Sequence, residues 1–439
     1  MQSRSVILAA LTALFLALLG GLAGSTGAAG GAVLVTTTAD EYDAVTANST
    51  CSLREAISAV NLGQDFGGCP AGAAGDTILL TGGQTYALTR AGSEENANVT
   101  GDLDVLTAMR LESTGGQAVI DATGLADRVL DFPGSAAYDA GLTALTLRGG
   151  SGVALGGGLQ VQASVNLALD QVIVQANSAS QGGGGIFNYN GVLTLTHSTL
   201  ISNSVIGAGT PAGGGLTNYY RATMIDSSVV GNTSTQDGGG LWTQAALSLR
   251  NVTISGNAAG QNGGGLFADT ATASLILSNV TIVSNTADAD TDDDGDGGGL
   301  YNIATGLVTK LRNSVLAYNV DQSPGTQHPD CSSNSNIDSQ GYNLIAEVAG
   351  CQIGGTTAGN LTGQLPALGA LTSYGNGQWA HPLLAESAGV DGGNPGTPGS
   401  GGMACELEDV RGYRRLAPCD MGAFESNGLL LVYLPVAAR

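Results

Sequence analysis

Short apolar–polar alternations recur through the middle of the chain. Between Leu241 and Asn257, Leu247 and Leu249 flank Ser248, and Val252 and Ile254 flank Thr253. A period of two marks half-buried strands. Arg250-Asn251 breaks the alternation and predicts a corner. A second corner is expected at Gly-Gly-Gly, where positive φ is easy. That triplet, followed by Leu or Ile, begins at Gly156, Gly183, Gly213, Gly238, Gly263 and Gly297, in steps of 27, 30, 25, 25 and 34 residues. Each copy leads through an alternating run to an asparagine: Asn177, Asn203, Asn232, Asn257, Asn285 and Asn319. Aligned on these, Leu169, Leu195, Met224, Leu249, Leu277 and Leu311 share a column, and Val174, Leu200, Val229, Ile254, Ile282 and Leu316 share another.

A repeat of this period means stacked coils. One coil of three short strands cannot bury its apolar side chains alone; stacked coils can, with each strand pairing to its equivalent about 4.8 Å away. The expected fold is all-β, a parallel β-helix, right-handed because parallel crossovers are almost always so. A leucine-rich repeat fits less well, since no helical segment recurs.

Composition agrees. Glycine contributes 70 of 439 residues and charged residues only 11%, against about 25% ordinarily. The hydrophobic fraction of 43% supplies a core, so the low charge reflects small polar corner residues. The net charge of −22 and the 14 scattered cations exclude nucleic acid as a partner, because that needs clustered positive charge.

Residues 1–29 read as a secretory signal peptide, with Arg4, an apolar run from Val6 to Leu19 and small residues after it; no other stretch is long enough to span a bilayer. In Cys51-Ser52-Leu53-Arg54-Glu55-Ala56-Ile57, Ser52 and Glu55 form a capping box. Leu53, Ile57 and Val60 then share one face of a short helix that would cover the open end of the first coil. This run resembles the CSLREA domain of secreted bacterial β-helix proteins, as do Gly101-Asp102-Leu103-Asp104 and Asp127-Arg128-Val129. The repeats are similar to those of polymorphic outer-membrane proteins, with an aliphatic residue in place of Phe. Asp409-Val410-Arg411-Gly412 and Cys419-Asp420-Met421-Gly422-Ala423-Phe424-Glu425 look like a choice-of-anchor Q region. The resemblance implies a secreted or surface β-helix protein, usually without an assigned reaction. The expected divisions are 30–75 for the N-terminal cap, 76–371 for the β-helix, 372–426 for an irregular C-terminal region and 427–439 for an apolar tail, a closing strand or a sorting signal.

The six cysteines fall into local pairs, Cys51 with Cys69, Cys331 with Cys351 and Cys405 with Cys419. In an exported chain these read as disulfides, and stacking favours local pairing.

Four features offer chemistry. The asparagine column reads as an amide ladder, with substrate contact as the alternative. A corner column runs Gln171, His197, Asp226, Asn251, Asn279, Asn313 and places His197 above Asp226, a weak acid–base candidate. The column after the glycines runs Gln160, Phe187, Thr217, Trp242, Phe267, Tyr301. If the preceding Leu points inward, Trp242, Phe267 and Tyr301 form an outward aromatic stripe suited to a glycan, unless the C-terminal region covers it or the strand's phase is reversed. Finally, Asp288, Asp290, Asp292, Asp294 and Asp296 alternate in an insert of the longest repeat. Alternating carboxylates around Gly295 suit Ca2+, although the closing Glu of an EF-hand is missing.

Two functional classes follow. One is a non-catalytic β-helix, a monomer used for attachment, matrix structure or binding of extracellular polysaccharide or cell-wall glycan. The other is a polysaccharide lyase or glycoside hydrolase. The non-catalytic class is preferred, because the cations within the coils do not share a column and Asp226 has no aspartate above or below it in its column.

Overall fold

A computed structural model describes residues 30–429, apart from 45–47, 94, 135, 163, 208–211, 270–273, 293–294, 304–307 and 376. The proposed signal peptide and the tail from 430 lie outside the described residues.

The chain is a parallel β-solenoid. Each coil carries one long or split strand that bends at a corner, a short strand and a three-residue strand, and every equivalent set pairs in parallel with its neighbours. The registers are those of the apolar columns. Met224 pairs with Leu195 and Leu249, and Leu277 with Leu249 and Leu311. Val229 pairs with Leu200 and Ile254, and Ile282 with Ile254 and Leu316. Their side chains meet in one continuous core that runs from Val33 to Ile345. Coils that lack the glycine triplet, built on Thr77–Thr81, Met109–Thr114 and Tyr138–Thr143, extend the stack at its N-terminal end.

Left-handed corners turn the coils at three places. The first is Ala144, Gln171, His197, Asp226, Asn251, Asn279, Asn313 and Tyr342, with φ between 48° and 58°. The second is Ala176, Ser202, Gly231, Gly256, Ser284 and Tyr318, with φ between 52° and 66°. Asn, Asp and Gly tolerate this region best, which explains their frequency there. The third is the expected one at the glycine triplets, where Gly156, Gly183, Gly238, Gly263 and Gly297 have φ between 61° and 66°; the two glycines that follow serve a different need. Gly238 has φ 65°, whereas a Cβ on Gly239 or Gly240 would strike the backbone of Ala258, Gly264 or Gly265 in the next coil. Only bare backbone lets the coils approach so closely.

Directly after the second corner stands the asparagine ladder. Each Nδ2 donates to the next Oδ1, from Asn177 to Asn203 at 3.0 Å, then to Asn232 at 2.9 Å, Asn257 at 3.0 Å, Asn285 at 2.8 Å and Asn319 at 2.9 Å. Asp330 receives the last amide at 2.9 Å. The other Nδ2 hydrogen goes to a carbonyl one coil back, as from Asn203 to Val174 at 2.8 Å.

At the N-terminal end the helix Leu53–Leu62 has the expected capping box and a left-handed Gly63 at its close. It is buried on all sides from Leu53 to Val60, and its apolar residues join the main core. Its Arg54 is fully enclosed, paired with Asp40 at 2.7 Å and bonded to the carbonyls of Gly101 and Asp102. All three local cysteine pairs are disulfides. Among the described residues no helix is long and apolar enough to cross a membrane.

Beyond Leu361–Thr362 the chain turns back along the first corner. Trp379 exchanges hydrogen bonds with Ser228, His381 Nε2 lies 2.9 Å from Ser255 Oγ, and Asn313 Nδ2 donates to Met403 O. Asn279 accepts from Glu406 N, and Asn251 bonds both Glu408 O and Arg415. The returning segment is held by Asp409 and Asp420, both fully buried and both accepting main-chain N–H bonds.

The ladder makes a direct test. Asn232→Ala leaves the main-chain N–H of Asn203 and one of its two amide hydrogens without a partner inside the stack, while Asn257 Oδ1 keeps only the main-chain N–H of residue 232. At about 1–3 kcal/mol per buried orphan, we expect a loss of at least about 2 kcal/mol in urea unfolding. A loss within error would mean the ladder does not hold the coils.

Candidate functional site

The aromatic column projects as its phase predicts: Leu241, Leu266 and Leu300 enter the core, and Trp242, Phe267 and Tyr301 point away from it. Its expected exposure is not found. Trp242 is 2% exposed and Phe267 3%, with only Tyr301 partly open. The reason is mutual coverage. Trp242 stacks on Phe267 at 6.5 Å and 10°, and Phe267 meets Tyr301 at 5.5 Å. The described C-terminal contacts fall on the corner column, so that region is not what covers the rings.

Thr217 would leave a gap in the row, since it accepts N–H bonds from Gly183 and Gly213. Tyr219 fills it from two residues along the same face, 5.6 Å from Phe187 and 5.1 Å from Trp242. Tyr189 touches it at 6.0 Å and is 60% exposed. These residues belong to a second outward column, Gln162, Tyr189, Tyr219, Gln244, Asp269, Ile303, which strand alternation makes visible in the sequence. With Leu155, Gln181 and Asp237 opposite, the two columns enclose adjoining cavities of about 440 and 290 Å³ that meet at Tyr219. Burial pushes the Tyr219 phenol up to about 12. Burial, and then the charge of Asp237, also raises Asp269. The groove therefore offers ring edges as floor and amides, carboxylates and a neutral phenol as walls.

At the first corner His197 lies between two carboxylates, its Nδ1 3.1 Å from Asp170 and its Nε2 3.8 Å from Asp226. Asp170 ends the strand one position before the corner residue Gln171, so a comparison confined to the corner column passes it over. Asp226 also accepts from Asn251 at 2.8 Å, and burial pushes its carboxyl up to about 6. The amides of Asn251, Asn279 and Asn313 bind the returning C-terminal segment, which fixes their identity; His197 stays partly open.

The acidic insert divides. Asp288, Asp290 and Asp292 bring carboxylate oxygens within 4.8 Å of one another, and Asp288 Oδ2 is buried without a partner. Asp294 lies outside the described residues. Asp296 turns away from the expected loop: it meets His328 Nδ1 at 2.7 Å and Ser332 Oγ at 2.8 Å, and groups with Asp321. A single loop of five carboxylates is thus replaced by two smaller acidic groups, either able to hold a metal ion.

No protein-family model and no curated protein matches the chain. Among solved structures it is similar to the crystal structure of pectate lyase Pel9A, at 15% identity and a TM-score of 0.46, over 86% of this chain and 92% of that one. A likeness at that level says nothing of chemistry.

The corner site has a pH signature. The folded chain holds the Asp226 proton more tightly than the unfolded chain. This contribution is therefore full below about pH 4 and is lost as pH rises to about 6. Asp226→Asn should gain stability relative to the parent across that interval, read from urea midpoints at several pH values. A difference that stays flat with pH would refute the burial argument.

Proposed function

We propose that the chain is an exported β-helix protein of the CSLREA and choice-of-anchor Q kind that holds an extended, neutral glycan along its aromatic groove without cleaving it. The observation that carries this reading is the pair of cavities joined at Tyr219, whose floor and walls repeat from coil to coil. A polymer running parallel to the solenoid axis would meet equivalent groups about every 4.8 Å. Ring edges suit the apolar faces of sugars, and Gln162, Gln181, Gln244, Asp237 and Asp269 suit their hydroxyls. Two carboxylates in the groove, with no Lys or Arg lining it among the described residues, disfavour an anionic chain. The three disulfides fit an oxidising, extracellular setting. The burial of Trp242 and Phe267 moves the contact from the ring faces of the original stripe to Tyr189, Tyr219 and the column beside them.

A hydrolytic reading has one observation in its favour, His197 held between Asp170 and Asp226. It predicts products from a polysaccharide panel that His197→Ala abolishes. The binding reading expects retention on such a panel without product. Tyr219→Ala should weaken retention several-fold in affinity electrophoresis on neutral polysaccharides, with the circular dichroism unchanged. Unaltered retention would remove the groove as the site.

For the insert we propose calcium at Asp288, Asp290 and Asp292, on the unpartnered Asp288 oxygen and the all-oxygen donor set. Asp290→Ala should remove one bound calcium per chain in equilibrium dialysis at millimolar calcium. An unchanged stoichiometry would sink this assignment.

A further inference from the structure

The outward column of the groove continues past Gln160 to Asp131 and Asp104. Here the aromatic floor gives way to a buried acidic group. Asp104 pairs with Asp131 on the adjacent coil, and Asp102 precedes Asp104 by two residues on the same strand face. Asp102 is 2% exposed, Asp104 0% and Asp131 1%. One carboxylate oxygen from each lies within 4.8 Å of the others.

The hydrogen bonds leave this group unfinished. Asp102 Oδ2 and Asp131 Oδ2 share Arg128 NH1 at 3.2 Å each, and Asp131 Oδ2 also accepts from Gln162 at 3.0 Å. Asp104 Oδ2 accepts from Asn98 N at 2.8 Å. Asp104 Oδ1 and Asp131 Oδ1 are buried and receive nothing. A buried acceptor is rarely left so. Charge is unbalanced as well. Asp102, Asp104, Asp127 and Asp131 face Arg128, and the second guanidinium that favours the Asp104 carboxylate, Arg54, is itself paired with Asp40.

We infer that Asp102, Asp104 and Asp131 form a calcium site that ties the N-terminal cap to the first coils. The donors are all oxygen, the preference of a hard cation, and ligands 2.3–2.6 Å from one ion stand at most about 5 Å apart. That limit accommodates the separation of the three carboxylates. A divalent ion would supply the missing partner for both orphaned oxygens and offset most of the buried negative charge. Burial, with the charge of neighbouring aspartates, pushes Asp102 up to about 8, Asp104 to about 7 and Asp131 to about 6. The ion would be structural. Asn98, whose N–H bonds Asp104, donates through its side chain to Arg54 O and Ser58 Oγ of the capping helix, so the site is one link from the cap.

The test uses the full exported chain carrying Asp290→Ala, which removes a candidate ligand of the insert. Calcium should remain bound after gel filtration, and chelation should lower the unfolding temperature. Adding Asp104→Asn, nearly the same shape, should weaken calcium about tenfold or more and remove the chelator effect. Asp131→Asn is the second variant should the first not fold. The proposal is overturned if the Asp290→Ala chain retains no calcium and ignores chelator at millimolar calcium. It is equally overturned if a folded Asp104→Asn or Asp131→Asn chain binds as tightly as its parent.

Discussion

Most polar groups that a coil buries are satisfied by the coil above or below it. The left-handed corners turn the chain within the space of one or two residues, and the asparagine that follows the second corner bridges both neighbouring coils: Asn203 donates its N–H and one amide hydrogen forward, donates the other amide hydrogen back and accepts from behind at Oδ1. From this follows the strict in-register stacking, since a slip of one residue would exchange core and surface on every strand. The glycine triplets follow too, because the same close approach leaves no room for a Cβ at Gly239 or Gly240.

Register turns each sequence position into a column along the axis, and a column can change its chemistry without disturbing the fold. The outward position after the glycines runs from Asp104 and Asp131 through Gln160 to Phe187, then to Trp242, Phe267 and Tyr301, and ends at Ser332. Acid, amide and ring succeed one another on one backbone geometry. The fold fixes where these side chains stand; the residue at each level decides what they contact.

The periodic part of this structure was legible in the sequence. The two apolar columns, the asparagine ladder, the corners at Asn251 and at the first glycine of most triplets, and the inward phase of Leu241, Leu266 and Leu300 all follow from alternation and a recurring step. What failed to read was aperiodic or cumulative. The burial of Trp242 and Phe267 arises because rings stacked at coil spacing cover one another, which no single position reveals. Tyr219 entered the row from the neighbouring column to fill the space left by Thr217. The turn of Asp296 towards His328 and the return of the C-terminal segment to Asn251, Asn279 and Asn313 join residues that share no period. Asp102 and Asp104 were visible as a motif, but their partner Asp131 is a coil away and only register brings it to them.

Buried charge is distributed according to the same constraint. In the central coils neutral amides and main-chain bonds meet most of the demand. Towards the ends the periodic supply of partners stops. The fully buried ion pairs, Arg54 with Asp40 and Arg415 with Glu425, belong to the capping helix and the returning C-terminal segment. The asparagine ladder itself closes on a carboxylate, Asp330, whose carboxyl burial raises. Desolvating a charge is expensive, and it is tolerated here in segments outside the repeats, whose groups have no equivalent above or below. Charge in this chain is scarce, and these buried pairs lie in segments that pack onto the stack, as Arg415 does on Asn251.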